Sequence, residues 1–173
     1  MTTPSSPSAR LQRGFSLIEL MVVVAIIAIL ALLAAPNFTD RIVRDQIVEA
    51  AKLADVAKGP VLTYWATSAV PPSTVRKMPA NNAEALLPNA DKIVSNHISS
   101  VTVENGALHL QFGNSAHGAI KGKILTLRPA VVEDTPIVPA AWICSTAKVP
   151  DKMTVKGNDK TNIEKRFLPR NCY

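Results

Sequence analysis

The chain has 173 residues, with 19 basic and 13 acidic side chains and a formal net charge of +6 at pH 7. This length allows one modest globular domain together with one further segment. The histidines His97, His109 and His117 are scattered, and the sequence shows no catalytic nucleophile motif, metal-ligand cluster or glycine-rich phosphate loop. We therefore expect a protein that is not an enzyme and has no cofactor or metal, in which His109 is an exposed or hydrogen-bonded strand residue.

An apolar segment opens the chain at residues 15–35, where only Ser16 and Glu19 are polar. As a helix this segment would extend about 30 Å, the thickness of a bilayer core. The segment is therefore long enough to span a membrane.

The residues before this segment differ from an ordinary secretory signal, in which small residues follow a short apolar core. Residues 1–14 are polar, rich in Pro and Ser, and basic through Arg10 and Arg13. Basic residues favour a cytoplasmic location for their end of a spanning helix. The sequence predicts a cytoplasmic N-terminus and export of everything after Pro36.

The stretch "RGFSLIELMVVVAIIAIL" resembles the N-terminal signature of type IV prepilins, the precursors of filament-forming subunits. In that family a membrane peptidase cuts after the glycine and methylates the new N-terminus. The resemblance implies a leader at 1–14, cleavage between Gly14 and Phe15, and N-methylation of Phe15. It also places Glu19 at the position where the family keeps a glutamate.

Glu19 has a physical role that can be argued separately from the resemblance. A carboxylate costs about 3 kcal/mol at the bilayer centre and much less near the interface, so its place near the helix end is tolerable. In a bundle of staggered helices it could neutralise the amine of Phe15 on a neighbouring subunit and so set the register. The alternative is a plain membrane anchor whose glutamate reaches the interface.

An amphipathic half, residues 37–68, follows the filament-core half at 15–36. Pro36 and the pair Gly59 and Pro60 disturb helical hydrogen bonding, so we predict one long, twice-bent helix over 15–68. Apolar residues recur at spacings of three and four, which predicts one buried stripe. The stripe comprises Val43, Ile47, Ala50, Ala54, Ala57 and Val61.

The resemblance implies the ladle shape of the pilin fold, with two local departures. Some members have a glycine where this chain has Ala28 and a second proline where it has Val56. The Asn37-Phe38-Thr39 triplet has the form of a glycosylation acceptor, but its place favours a helical segment packed on neighbours.

The remaining residues, 69–173, are predicted to form an α+β head. A proline-rich loop at 69–93, with a short helix at 82–87, leads to a hairpin centred on Asn105 and Gly106. Two more alternating runs occur at 122–129 and 140–145. The economical assembly is a four-stranded antiparallel sheet packed across the amphipathic half of the helix.

Two cysteines, Cys144 and Cys172, are the complete cysteine complement. The runs "IKGKILTLRP", "AAWIC" and "FLPRNC" are similar, in order, to the closing strands and disulfide-bounded loop of type IVa pilins. The resemblance and the oxidising compartment of an exported chain imply a Cys144–Cys172 disulfide. A metal pair or a redox pair is the alternative, although neighbouring ligands and the two-residue spacing of such sites are missing.

The segment between the cysteines is basic, with seven basic against three acidic side chains. If displayed on a filament, it could attract DNA phosphate or acidic cell surfaces. The other reading is a solvated loop, because aromatic residues for stacking single-stranded DNA are missing there. The basic residues are Lys148, Lys152, Lys156, Lys160, Lys165, Arg166 and Arg170.

We interpret the chain as the structural subunit of a type IVa pilus that assembles with copies of itself. The resemblance implies an inner-membrane precursor that crosses once, an extracellular fimbrium, and use in twitching motility, adhesion or DNA uptake. Its implied partners are the prepilin peptidase, the assembly platform, minor pilins, the membrane, and DNA or surface receptors. The alternatives are a minor or competence DNA-binding pilin and a pseudopilin of type II secretion.

Overall fold

A computed structural model describes residues 14–69, 75–133 and 135–173, without the side chains of residues 34–37. The chain divides into two compact units, Met1–Phe38 and Thr39–Tyr173. In chain order the elements are α1 (Leu17–Leu53), α2 (Asp55–Thr67), β1 (Ile98–Glu104), β2 (Ala107–Phe112), β3 (Ile124–Val131), β4 (Ala141–Cys144) and β5 (Thr154–Val155). The described residues also include 3-10 helices at Ala90–Lys92, Lys165–Phe167 and Arg170–Cys172.

The long, bent helix predicted over 15–68 is confirmed, with one interruption that divides it into α1 and α2. The interruption falls at Ala54, which keeps helical angles (φ −60°, ψ −21°), and Pro60 lies inside α2. The interruption therefore lies about one and a half helical turns before Gly59 and Pro60, where the sequence predicted it. A proline lacks its N–H and crowds the carbonyl four residues earlier, so it loosens a helix on its N-terminal side. The side chains of Pro36 and Asn37 lie outside the described residues.

The predicted apolar stripe is confirmed in the head unit. Its six residues are at most 1% exposed, and Trp65 extends it at 3%. They belong to one core with the inward side chains of β1, β2 and β3, including Val101, Leu110 and Leu125. The three alanines of the stripe have only a methyl group, which lets the helix backbone lie close to the sheet.

The sheet is antiparallel, with strand order β1-β2-β3-β4. The hairpin predicted between the first two strands is confirmed, with Asn105 at φ +49° and Gly106 at φ +83°. Positive φ at both turn residues is the geometry of a type I′ turn. A Cβ atom on Gly106 would also meet Met78 at 2.8 Å, so glycine is needed for space as well as for backbone angle.

A fifth strand corrects the predicted count of four. Thr154 and Val155 of β5 pair with Val131 and Ala130 of β3, so the segment between the cysteines adds to the sheet. A two-residue strand is too short to show alternation, which explains why the sequence pattern missed it.

The segment before β1 holds a second correction, because residues 82–87 form an isolated turn and not a helix. Leu87 N–H donates to the Asn82 carbonyl at 2.9 Å, but Leu86 enters the left-handed region at φ +55° and ends the turn. A 3-10 helix follows at Ala90–Lys92. Residues 70–74 of the predicted loop lie outside the described residues.

Asn82 fastens this segment to the edge of the sheet. Its amide nitrogen donates to the carbonyls of Pro88 (3.1 Å) and Val101 (3.0 Å), and its oxygen accepts from the Val103 N–H (2.7 Å). The side chain is buried, so these three bonds satisfy groups that water cannot reach. They also occupy backbone groups of an edge strand that would otherwise be open for pairing.

Candidate functional site

The predicted cleavage position lies at the start of the described chain. Gly14, Phe15 and Ser16 precede helix α1 and are exposed, and nothing lies within 4 Å of a Cβ built on Gly14. An open peptide bond of this kind is accessible to a peptidase. The leader before Gly14, including Arg10 and Arg13, lies outside the described residues.

Glu19 is engaged with Ser16 at the start of the helix. Its carboxylate accepts hydrogen bonds from the Ser16 N–H and hydroxyl, both at 3.2 Å, and its own N–H donates to the Ser16 hydroxyl oxygen at 3.3 Å. This reciprocal arrangement is a capping box, which satisfies N–H groups that have no partner within the helix. The role of Ser16 was missed, although the S-x-x-E spacing before an apolar run was a readable signal.

Helix α1 beyond the cap is apolar and uncovered. Its large apolar side chains up to Leu33, and Phe15 before it, are 46% to 81% exposed. By length and composition, Leu17–Thr67 contains a span that could cross a membrane. Apolar exposure on this scale needs a lipid or protein partner.

The disulfide predicted between Cys144 and Cys172 is present, with their Cα atoms 4.6 Å apart and a sequence separation of 28. The segment that it closes is held by more than the bridge. Phe167 and Leu168 are at most 4% exposed and join the head core. Arg44 of α1 donates to the Arg166 carbonyl through Nε (3.1 Å) and Nη2 (2.6 Å).

A polar network holds the same segment against β3. The Thr126 hydroxyl oxygen accepts from the Lys160 N–H at 3.0 Å and lies 2.9 Å from Nδ1 of His109. Thr126 N–H donates to Thr161, whose hydroxyl donates to Asp159. The segment is therefore an ordered cover on the sheet.

Charges in this network act on each other. The hydrogen bond from Lys160 lowers the pKa of the Glu104 carboxyl. Burial lowers the pKa of His109, and the positive charge of Lys160 lowers it further. The negative charges of Glu104 and Asp159 act in the opposite direction and raise it. His109 Nε2 lies 3.8 Å from a Glu104 oxygen and has no hydrogen-bond partner among the described residues.

The seven basic residues between the cysteines divide into two groups. Lys156 pairs with Glu133, Lys160 with Glu104, and Arg166 with Glu164. Lys165 lies 5.5 Å from the ring centre of Tyr173. Within the described residues, no carboxylate lies in ion-pair range of Lys165 or of the other three, which are Lys148, Lys152 and Arg170.

The other two histidines form hydrogen bonds with side chains of helix α1. His97 Nδ1 lies 2.9 Å from the Glu49 carboxylate, and the His117 N–H donates to the Gln46 side chain at 2.9 Å. In the described part of the chain, no three His, Cys, Asp or Glu side chains form a group that could hold a metal ion.

Two protein-family models match this chain, one over the N-terminal apolar segment and one over the head. The pilin family, described as a bacterial filament, matches residues 43–173. The prokaryotic N-terminal methylation motif matches residues 9–35. The two matches cover the exposed apolar helix and the head.

Whole proteins give the same result. A fimbrial protein of Neisseria meningitidis serogroup B is 32% identical over 171 residues, 94% of each chain. The type IV major pilin protein PilE1 of Neisseria gonorrhoeae is 34% identical over 94% of this chain and 87% of its own length. The fimbrial protein EcpC of Eikenella corrodens is 30% identical over 94% and 92%. With its capped apolar helix, disulfide-closed head and these relatives, the chain belongs to the type IV pilins, which are structural subunits and not enzymes.

Proposed function

We propose that this chain is the major subunit of a type IV pilus used for twitching motility and adhesion. The observation that carries the proposal is the run of exposed apolar side chains in α1, which begins at a capped end and continues into a folded head unit. A surface of this kind serves first as a membrane anchor and then as the core of a helical fibre. Relatives named as major pilins support the choice of the abundant subunit.

Family membership and the methylation motif imply processing by a prepilin peptidase, a membrane-anchored precursor and an extracellular pilus of identical subunits. In this chain, we assign the cut to the bond between Gly14 and Phe15 and the methylation to Phe15. The resulting filament core is 15–36, and Pro36 loosens the helix where the amphipathic half begins. The N-terminus lies in the cytoplasm, and the assembly platform, minor pilins and separate motors handle insertion at the inner membrane.

Glu19 has two roles in this proposal. In the single chain its carboxylate completes the capping box with Ser16. During assembly it neutralises the Phe15 amine that cleavage creates on a neighbouring subunit. An unpaired carboxylate or ammonium in an apolar bundle is costly, so the pair favours the one register in which both charges are matched.

Three substitutions separate the two roles in cells from which the parent chain has been removed. Glu19→Gln keeps a residue that completes capping boxes but removes the charge, Ser16→Ala removes the cap and keeps the charge, and Glu19→Ala removes both. We expect few or no surface fibres by electron microscopy for both Glu19 variants and near-normal fibres for Ser16→Ala. Normal fibres with Glu19→Gln would contradict the pairing role.

Restoration of the parent chain gives the test of the major-subunit assignment. Fibres should vanish when the chain is removed and return when it is restored, together with twitching. Fibres that persist in full number without the chain would show that another protein forms the bulk of the pilus. Intact-mass analysis of each variant checks that processing itself is unchanged.

A second function, DNA binding by the pilus, is favoured by Lys148, Lys152 and Arg170, which have neither a carboxylate partner nor a ring contact among the described residues. Removal of one lysine that binds a phosphate should lower the slope of log binding constant against log salt by about 1. We expect this for Lys148→Ala and Lys152→Ala but not for Lys156→Ala, because Lys156 is paired with Glu133. Equal slopes for all fibres would argue against this function.

A further inference from the structure

An apolar groove lies between helix α2 and the isolated turn that follows it. Pro60, Thr63 and Tyr64 line it from the helix, Ala85 and Leu86 line it from the turn, and Glu84 is the one charged side chain of the lining. Its volume is about 440 Å³. This groove is part of the head unit and is separate from the apolar surface of residues 17–33.

Leu86 is the most unusual residue of the groove. Its side chain is 93% exposed, and its backbone is at φ +55°, a region that a leucine rarely adopts. A large apolar side chain held outward on an unfavourable backbone gains nothing from the fold of its own chain. Strain and exposure together point to a contact with another molecule.

A second exposed apolar residue, Ile137, is presented by the loop between β3 and β4. Its side chain is 87% exposed. Pro136 and Pro139 flank the turn, and Val138 N–H donates to the Thr135 carbonyl at 3.1 Å. The loop is therefore constrained, and Ile137 is held at its outer surface.

The groove and Ile137 lie on opposite sides of α2. With about 100° between successive helical residues, Pro60, Thr63 and Tyr64 share one side. Leu62, which together with Trp65 lines a small cavity beside the Ile137 loop, is roughly half a turn away. The two surfaces therefore face different directions, and one chain presents both a projection and a recess.

We propose that Ile137 of one subunit docks into the groove beside Leu86 of a second copy. This inference rests on the proposed filament function. A contact between two different surfaces of the same chain is heterologous, and when its rotation does not close a ring it produces an open helical array. The contact would orient neighbouring heads, whereas the apolar helices hold the fibre together.

Cysteine cross-linking in sheared fibres of the full chain tests the contact. The variant carries Leu86→Cys and Ile137→Cys together, and a mild oxidant is added to intact fibres. We expect a ladder of disulfide-linked oligomers on a non-reducing gel that collapses to single chains on reduction. The matched control carries Leu86→Cys with Val94→Cys, because Val94 is also an exposed apolar residue, at 47%, outside both surfaces. It should give no ladder.

Other band patterns overturn the proposal. Fibres of the double variant without a ladder mean that the two residues do not meet. A dimer from Leu86→Cys alone means that the groove faces its own copy across a twofold contact. If the double variant forms no fibres, the two single variants are co-expressed with the parent chain. A linked dimer then supports the contact, and its absence from mixed fibres contradicts it.

The same experiment separates this inference from the filament assignment. Fibres that contain the parent chain but give no Leu86–Ile137 cross-link overturn only the head contact. Failure of the parent chain to appear in fibres overturns the filament assignment itself.

Discussion

The apolar residues of helix α1 differ in exposure between its two parts. Up to Leu33 they are exposed on every side, whereas in the head unit one stripe is buried and the other faces are mixed, with Ile42 and Val48 still 40% and 44% exposed. Ile29 is 60% exposed, and Ile47 is 1% exposed. The same side chain stabilises the folded head in the second part, and under the proposed function it stabilises a fibre in the first.

The largest expected effect comes from removing the buried isoleucine. Ile47→Ala should lower the free energy of unfolding of the head by about 2–5 kcal/mol, because it leaves a cavity beside the sheet. Ile29→Ala should leave head unfolding unchanged and weaken the fibre instead. Denaturant melts and the force or detergent resistance of sheared fibres measure the two effects. Equal loss of head stability in both variants would contradict the division.

Removing the disulfide is the next largest change. Replacing Cys144 and Cys172 together by Ser should cost about 2–4 kcal/mol of head stability. The Phe167 and Leu168 anchors should keep the segment partly in place, so we expect a lower melting temperature but a cooperative transition. An unchanged melting temperature would mean that these anchors alone hold the segment.

Asn82→Ala should cost about 1–3 kcal/mol, since it leaves the Val101 carbonyl and Val103 N–H at the sheet edge without their partner. Asn81→Ala is the matched control, because Asn81 is exposed and accepts one hydrogen bond from the Glu84 N–H at 3.0 Å. Urea unfolding compares the two. A control as unstable as Asn82→Ala would show that the turn itself, and not the edge contact, matters.

The smallest effect is a dependence on pH. Because the pKa of folded His109 lies below its ordinary value near 6.5, the unfolded chain takes up this proton first as the pH falls. The free energy of unfolding should therefore decrease as pH falls below about 6.5. His109→Gln should remove that part, while the loss from protonating Glu104 at lower pH remains. If the parent chain and His109→Gln lost the same stability between pH 7 and pH 5.5, this prediction would be wrong.

The sequence was most informative where a pattern is local. The spacing of Val43 and Ile47 predicted the buried stripe, and Asn105 with Gly106 predicted the hairpin. The Ser16 cap was equally local and was missed only because Glu19 was considered as a membrane charge.

Contacts between distant segments could not be read in this way. Lys156 forms an ion pair with Glu133, and Lys160 forms one with Glu104. Both carboxylates lie outside the segment between the cysteines, so a count of charges within the segment overstates its unpaired positive charge. The prediction of a helix at 82–87 was wrong because Leu86 adopts a left-handed backbone angle, which is rare for leucine and cannot be read from the residue type. The burial of Asn82 depends on a strand edge that forms only in the folded head.

The central claim is that the exposed part of α1 is the processed assembly element of a fibre. Intact-mass analysis of sheared surface fibres, before and after reduction, tests it most directly. The account predicts a dominant chain that begins at N-methylated Phe15 and gains two hydrogens on reduction. A fibre in which this chain is absent or only a trace, while the processed chain stays in the membrane, would contradict it.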